Sequence, residues 1–291
     1  MDSPPHTIRH LIASSHPWLA KRGVESPRLD AELLIAHALG LKRIELFMDW
    51  DRPLSEQEVA VCRELIRRRG QREPVSLITG TRDFWTLSFV VTKDTLAPRP
   101  DSELLVEHVL KSVPRDATGT FVDACTGTGC IAITLLHERP SLTAVATDLS
   151  RAALDVAVQN ATRHGVLDRL ALLQGDLLSA CSQGGLLFVV ANPPYIMESE
   201  RASLAPEVRD HEPALALFGE EEDGLGHHRR ILAQAHSLVL EGGFCALEIG
   251  AAQGVAAAAI KAPGWRYTAT LKDLAGLQRV VVWLREGAAQ P

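Results

Sequence analysis

The chain reads LLFVVANPPY over residues 186–195, an apolar run that two consecutive prolines bring to an end. The apolar part, 186–191, predicts a strand buried on both faces, as in a parallel sheet. Pro193 and Pro194 stop the hydrogen-bond ladder because neither has an N–H and each ring fixes φ. Asn192 is therefore expected at the carboxyl end of a strand, where open α/β sheets bind their ligands.

The polar end of this stretch suits a planar group that carries an NH2. The side-chain oxygen of Asn192 and the carbonyl of Pro193 can both accept hydrogen bonds from it, while the ring of Tyr195 lies against its face. The other interpretation is an ordinary strand-ending turn, because Asn-Pro is common in turns. The tetrapeptide alone leaves both interpretations open.

Strands and helices alternate along the chain from residue 119 onward. Helical patterns, for example over 152–164 and 226–240, separate most of the candidate strands. This alternation predicts an α/β fold with a doubly wound sheet. The last two strands have no helix between them, which indicates one antiparallel insertion. The candidate strands are Thr120–Ala124, Thr143–Thr147, Leu170–Leu173, Leu186–Ala191, Gly243–Ile249, Tyr267–Leu271 and Arg279–Leu284.

The first seventy residues carry signals for helices instead. Ser-Pro at 26–27 begins one helix, and the capping-box sequence SEQE at 55–58 begins another. The stretch that follows is rich in aromatic residues and predicts a hairpin. We therefore divide the chain into a helical bundle over 1–73, a β-hairpin linker over 74–97 and an α/β domain over 98–291.

The composition is that of a soluble globular protein, with 46% hydrophobic and 23% charged residues. No apolar stretch reaches the roughly 18 to 20 residues that cross a bilayer, and the first residues lack the features of a signal peptide. We expect a cytoplasmic protein with no membrane association. The net charge of −6 argues against a nucleic-acid partner. Five scattered cysteines without a CxxC pair indicate neither disulfides nor a metal site.

A glycine-bearing turn, DACTGTG over 123–129, follows the first candidate strand. Such a turn lets a ligand approach the backbone and sit at a helix N-terminus. Asp148 ends the next strand, where a carboxylate binds ribose hydroxyls, and Asp176 ends the third, within reach of an adenine amine. The candidate cofactor-binding residues are Asp123, Cys125, Thr126, Gly127, Thr128, Gly129, Asp148, Asp176, Leu177 and Asn192.

Two nucleoside cofactors compete for this turn. Dinucleotides favour a G-x-G-x-x-G sequence that holds the pyrophosphate, whereas this turn reads CTGTG and is preceded by Asp123. A carboxylate repels a pyrophosphate but attracts the ammonium and sulfonium charges of S-adenosyl-L-methionine. The expected cofactor is therefore S-adenosyl-L-methionine.

Together these motifs resemble the class I amino-methyltransferases, and among them the release-factor glutamine methyltransferases, the HemK or PrmC family. The resemblance covers nearly the whole chain. GTRDFW at 80–85 is similar to the family's linking hairpin, and PRPDSE at 98–103 is similar to its PRPDTE segment with serine for threonine. The resemblance implies a seven-stranded, Rossmann-like methyltransferase domain behind a small helical domain that docks the substrate protein.

The family's substrate is the glutamine of the Gly-Gly-Gln loop in class 1 peptide-chain release factors, methylated at N5. The resemblance implies that Asn192 and Pro193 accept the two N–H bonds of that amide and aim its nitrogen at the methyl group. Pro194 and Tyr195 complete the substrate site, and Phe84 walls the pocket from the hairpin. Asn192, Pro193 and Tyr195 are the expected catalytic residues. No general base is needed, because methylation makes the nitrogen strongly acidic.

The sequence departs from the family pattern at two positions of the cofactor site. Cys125 stands where the first loop glycine is expected, and Leu177 stands where a tryptophan is frequent. A cysteine adds a side chain at a tight turn, and leucine offers the adenine an aliphatic wall instead of a stacking ring. We expect altered cofactor affinity and retained activity.

Three other functions remain open at this point. The ribosomal-protein glutamine methyltransferases share the small domain but usually lack the PRPDTE segment. An adenine-N6 methyltransferase of DNA or RNA uses the same tetrapeptide, but it needs a cationic channel for a flipped or single-stranded base. A binding module that keeps the pocket without turnover is the third. We expect a class 1 release factor as the partner. We also expect the protein to be a monomer and to have no direct nucleic-acid substrate.

Overall fold

The computed structural model describes residues 6–182 and 184–287. The chain divides into two compact units. We call Met1–Thr81 with Ala205–His211 the helical unit, and Arg82–Leu204 with Glu212–Pro291 the α/β unit.

The described residues form eleven helices and nine strands, besides four short 3-10 turns. The helices are α1 (Ile8–Ala20), α2 (Pro27–Leu39), α3 (Arg43–Met48), α4 (Glu56–Gly70), α5 (Val75–Thr79), α6 (Glu103–Ser112), α7 (Cys130–Glu138), α8 (Arg151–Arg163), α9 (Pro206–Arg209), α10 (Gly226–Ala235) and α11 (Gly254–Ala258). The strands are β1 (Thr81–Phe84), β2 (Leu87–Val90), β3 (Gly119–Ala124), β4 (Leu142–Asp148), β5 (Leu170–Gln174), β6 (Leu186–Ala191), β7 (Val239–Glu248), β8 (Trp265–Lys272) and β9 (Gln278–Arg285).

The two helix starts predicted in the helical unit are present. Helix α2 begins at Pro27 and ends at Leu39, and it is capped by Gly40, whose φ of 66° is the left-handed conformation that glycine adopts without strain. The capping box of α4 forms as its sequence indicates: the Ser55 hydroxyl accepts from the Glu58 amide over 3.2 Å, and the Glu58 carboxylate accepts from the Ser55 amide over 2.8 Å.

The arginines at the end of α4 are engaged within the protein. The Arg69 side chain is only 7% exposed and donates to Asp30 over 2.7 Å and to Glu207 over 2.8 Å. Arg72 donates to both oxygens of Glu207. Glu207 lies in α9, so these bonds fix the segment 205–211 within the helical unit. An arginine buried in this way is not available to a partner protein.

Seven strands form one mixed sheet in the order β5-β4-β3-β6-β7-β9-β8. Strand β9 runs antiparallel to β7 and β8, and the other neighbours are parallel. All seven predicted strands and the antiparallel insertion are confirmed. The chain first extends from β3 to β5 and then adds β6 on the other side of β3. The strand order therefore reverses at β3, and the carboxyl ends beside such a reversal are where this kind of sheet binds ligands.

The hairpin before the sheet is shorter than the expected linker. The residues of α5 fall inside the expected range but are helical, and only β1 and β2 form a two-stranded sheet. The aromatic residues of the hairpin and the sheet fill the core: Phe121 stacks on Phe188 with 4.8 Å between ring centroids, and Phe188 stacks on Phe244 with 5.0 Å. Among the described helices, none has both the length and the apolar character that a membrane span requires.

Candidate active site

A cavity lies at the carboxyl ends of β3, β4, β5 and β6, in the α/β unit. Four of its walls come from the ends of these strands: the turn after β3, Asp148, Asp176 with Leu177, and Asn192 with Pro194. The residues before α6, including Pro98, Arg99 and Ser102, form another wall. Eight of the ten predicted cofactor-binding residues line this space, and Asp123 and Gly129 do not.

The turn after β3 is held by a fully buried acid. One oxygen of Asp123, Oδ2, accepts from the Thr126 hydroxyl over 2.7 Å and from the Ala132 amide over 3.2 Å. The other, Oδ1, is buried and has no hydrogen-bond partner among the described residues. Burial raises the pKa of Asp123 to about 7, against the lowering effect of the two donors. Asp123 is not among the lining residues, so it acts from beneath the turn.

The turn itself uses left-handed backbone at three positions. Gly127 and Gly129 have φ of 55° and 80°, and Cys125 has φ of 58°. The φ of Gly129 is one that L side chains rarely adopt, so this position favours glycine. Cys125 adopts a left-handed conformation that would suit the glycine expected at this position, and this conformation costs an L-residue about 1–2 kcal/mol. Cys125, Thr126, Gly127 and Thr128 line the cavity.

Asp148 closes the turn from the neighbouring strand. Its Oδ2 accepts from the Gly127 amide and its Oδ1 accepts from the Ser150 amide, both over 2.9 Å. Burial raises the pKa of Asp148, and these backbone donors oppose the rise. A carboxylate offers about four lone-pair positions, so both oxygens keep capacity for further donors in the cavity.

Asp176 and Leu177 line the cavity after β5. The carboxylate of Asp176 is paired with Arg230 of α10, a partner that the sequence does not reveal. Leu177 is buried and has φ of 55°, so it too adopts a left-handed conformation. Both departures from the family pattern, Cys125 and Leu177, therefore lie at strained backbone positions in the cavity wall.

A hydrogen-bonded chain lies behind the carboxamide of the tetrapeptide. The Asn192 Nδ2 group donates to the Ser102 hydroxyl over 3.1 Å, and Ser102 donates to Glu248 Oε2 over 2.5 Å. The Tyr195 hydroxyl donates to Glu248 Oε1 over 3.2 Å. Glu248 ends β7 and is 1% exposed, and burial raises its pKa to about 7. The sequence did not predict that Glu248, an acid at the end of an apolar strand, accepts hydrogen bonds from Ser102 and Tyr195.

Three predicted substrate-site residues do not line the cavity. Pro193 and Tyr195 are set back from it, although they flank the lining residue Pro194. Phe84 was expected to wall the pocket, but it lies in the hydrophobic core, 1% exposed and edge-on to Phe89 with 6.2 Å between ring centroids. The aromatic side chain of β1 points into the core because that is the one buried position of the strand.

The segment before α6 contributes more to the site than its sequence indicates. Ser102 precedes α6, but its side chain makes no capping bond to the helix and instead donates to Glu248. Arg99 lines the cavity and donates to Glu212 over 2.6 Å. Burial raises the pKa of Glu212, and the positive charge of Arg99 opposes this rise.

Two family models match the chain. The PrmC N-terminal domain matches residues 11–80, and the methyltransferase small domain matches residues 83–208. Curated proteins named release factor glutamine methyltransferase are similar over nearly the full length. One from Nitratidesulfovibrio vulgaris is 39% identical over 98% of this chain and 97% of that protein. One from Cereibacter sphaeroides is 43% identical over 93% of this chain and 95% of that protein.

Solved structures share the fold. The hMettl16 catalytic domain in complex with MAT2A 3'UTR hairpin 1 has a TM-score of 0.55 at 16% identity, over 76% of this chain and 80% of that chain. The same domain with hairpin 6 has a TM-score of 0.54 at 16% identity, over 78% and 84%. At this identity the likeness concerns the fold alone, and it confirms the predicted Rossmann-like methyltransferase fold.

Proposed function

Because the chain belongs to the release factor glutamine methyltransferase family, we propose that it methylates the glutamine of the Gly-Gly-Gln loop in class 1 peptide-chain release factors. The methyl group comes from S-adenosyl-L-methionine and is transferred to the side-chain amide nitrogen, N5.

The residues around the cavity fit the methyl donor. The Oδ1 atom of Asp123 is buried beneath the turn and has no partner among the described residues, and it is proposed to accept from the ammonium group of the methionine part. Asp148 has lone pairs left for the ribose hydroxyls, and Leu177 offers the adenine an apolar wall. When bound, S-adenosyl-L-methionine supplies an electrophilic methyl group on its sulfonium. Cys125, Thr126, Gly127, Thr128 and Gly129 are proposed to surround the methionine part, with Asp176 near the adenine.

The single observation that carries the proposed chemistry is the orientation of the Asn192 carboxamide at the cavity wall. Its Nδ2 group is occupied by Ser102, so Oδ1 remains as the acceptor for a substrate N–H. The Pro193 carbonyl is proposed as the acceptor for the second N–H. An amide nitrogen is a poor nucleophile because its lone pair is delocalised, so holding both N–H bonds aims that lone pair at the methyl group.

The remaining residues of the tetrapeptide support this geometry. Pro194 lines the cavity and stiffens the turn. Tyr195 is set back with its hydroxyl on Glu248, so we assign it to holding the turn in place rather than to stacking directly on the amide. No side chain is assigned as a general base, since the nitrogen becomes strongly acidic as the methyl group is transferred.

The helical unit is proposed to dock the release factor. The protein is proposed to act as a monomer in the cytoplasm. Arg69 takes no part in that docking, because Asp30 and Glu207 already hold its guanidinium. The division into a docking bundle, a hairpin and a catalytic domain is proposed along with it.

A substrate panel tests the proposal. The protein is incubated with labelled S-adenosyl-L-methionine and, in separate reactions, with a class 1 release factor, the same factor with its Gly-Gly-Gln glutamine replaced by alanine, a ribosomal-protein mixture and DNA. Label is expected only on the unmodified release factor. Label on the ribosomal proteins or DNA, with none on the release factor, would replace the proposed function by one of its alternatives.

A further inference from the structure

We propose that Glu248 is a positioning residue for methyl transfer, fixing through Ser102 which end of the Asn192 carboxamide faces the substrate. The inference deepens the proposed function and rests on it. Glu248 does not line the cavity, whereas Ser102 and Asn192 do. It therefore acts only through the residues it holds.

The sheet places the acid beside the carboxamide. Strands β6 and β7 are parallel neighbours, and Ala191 is in register with Leu247. The next residue of each strand is Asn192 and Glu248, so the two emerge side by side at the carboxyl edge of the sheet. Ser102, in the turn before α6, lies between their side chains, at 3.1 Å from Asn192 and 2.5 Å from Glu248.

The direction of each hydrogen bond in this chain follows from the acid. A carboxylate only accepts, and a serine hydroxyl has one proton to donate. Because Ser102 gives that proton to Glu248, its oxygen can only accept from Asn192. The amide end next to Ser102 must then be the NH2 group, and the carbonyl end is left for the substrate.

A reversed carboxamide would not work. With Asn192 turned by half a rotation, its NH2 group would face the N–H bonds of the substrate amide, and two donors would be left opposed without an acceptor. The ionised Glu248 prevents this reversal through Ser102, whose proton it accepts. A neutral carboxyl group can donate to Ser102 instead, which frees the serine proton to point at Asn192 and permits the wrong orientation.

The ionisation of Glu248 depends on its surroundings. Burial raises its pKa to about 7, and the Ser102 and Tyr195 hydroxyls oppose the rise. Asp101 raises this pKa further and Arg279 lowers it. The donor and acceptor roles in the hydrogen bonds that join Glu248, Ser102 and Asn192 are therefore expected to change near neutral pH. One more group approaches from α10, where the imidazole of His228 bonds to the backbone carbonyl of Glu248 over 2.7 Å.

The first experiment compares Glu248→Gln with Ser102→Ala in the full-length protein. Glutamine keeps the shape of the acid but presents a donor as readily as an acceptor. Either variant is expected to lower kcat for the release factor on the order of 10-fold to 100-fold, with the Kd for S-adenosyl-L-methionine little changed. The double variant should lose no more than the worse single variant, because both changes break one chain. Ser102→Thr keeps the hydroxyl and should restore most of kcat.

The pH profile separates positioning from a merely structural role. In the unmodified protein kcat should fall below about pH 7, as Glu248 becomes protonated. The Glu248→Gln variant should lose that limb. The matched control is Glu107→Gln, which makes the same change in the α/β unit at an exposed acid that pairs with Lys111 and does not line the cavity. That control should keep both kcat and the pH profile.

A spectroscopic readout tests the chain independently of the substrate. The side-chain NH2 signals of Asn192, identified by their loss in Asn192→Ala, should shift between pH 6 and pH 8 and should stop shifting in Glu248→Gln. An inactive wild-type protein with these shifts would contradict the proposed function but not the hydrogen-bonded chain. Unchanged kcat in Glu248→Gln, losses that multiply in the double variant, or pH-independent Asn192 signals would each overturn the inference.

Discussion

The Gly127 amide donates to Asp148 Oδ2 over 2.9 Å, so the acid that ends β4 also closes the turn that follows β3. One carboxylate thereby shapes the backbone of the turn and lines the cavity where the ribose of the methyl donor is proposed to lie. The cofactor turn and the neighbouring strand form one unit, and a change in the acid affects both.

Asp148→Asn is expected to weaken binding of S-adenosyl-L-methionine about 10-fold to 100-fold. The amide loses one acceptor oxygen, and hydrogen bonds to a charged group contribute about 1.5–3 kcal/mol. Isothermal calorimetry measures the change. The control is Asp155→Asn on the exposed face of α8, where the acid pairs with Arg151 and not with the cavity. Equal affinity in Asp148→Asn and the unmodified protein would remove Asp148 from the cofactor site.

Cys125→Val is expected to reduce both thermal stability and cofactor binding, whereas Cys125→Gly should retain them. The left-handed backbone at this position costs any L-residue about 1–2 kcal/mol, and a β-branched side chain fits it worst. Glycine has no such cost. Calorimetry with S-adenosyl-L-methionine and thermal unfolding of the two variants give the comparison. A valine variant that binds as tightly as the glycine variant would show that the turn does not depend on this conformation.

Glu207→Gln is expected to destabilise the helical unit by about 1–3 kcal/mol at neutral pH, because it removes the charge between two arginines, Arg69 and Arg72. Burial raises the pKa of Glu207, but the bonds from Arg72 and Arg69 outweigh it and lower the pKa from 4.5 to about 2. A group whose pKa is lowered on folding stabilises the protein above its unfolded pKa.

The difference between Glu207→Gln and the unmodified protein should therefore be full above about pH 4.5 and should vanish as the pH falls towards 2. Denaturant unfolding followed across this range measures it. Glu198→Gln, at an exposed pair with Arg201, is the control and should leave the unfolding curve unchanged. A Glu207 variant with the same curve at neutral pH would contradict the role of the arginine pair.

The sequence predicts the sheet well because its strands are buried apolar runs separated by helical patterns. The same logic places Asn192 at a strand end, since two prolines end the run there. It fails for Phe84, because an aromatic residue in a short hairpin can face a pocket or the core. Only the packed structure decides which face is buried, and Phe84 lies against Phe89 in the core.

Long-range partners are the other part that the sequence does not reveal. Glu248 contacts Ser102 and Tyr195 only because the register of β6 and β7 brings distant segments together. Arg230 of α10 likewise pairs with Asp176 after β5, although 54 positions separate the two residues in the sequence. In both cases an acid and its partner have ordinary sequence surroundings, and their pairing depends on the fold.

The most direct measurement is mass spectrometry of the release factor's Gly-Gly-Gln peptide after incubation with S-adenosyl-L-methionine and either the unmodified protein or Asn192→Ala. The unmodified protein should add one methyl group to the glutamine. Asn192→Ala should do so on the order of 100-fold more slowly or worse, while calorimetry shows that it still binds the cofactor. A near-normal rate in Asn192→Ala, or no methyl group on that glutamine with the unmodified protein, would contradict the account.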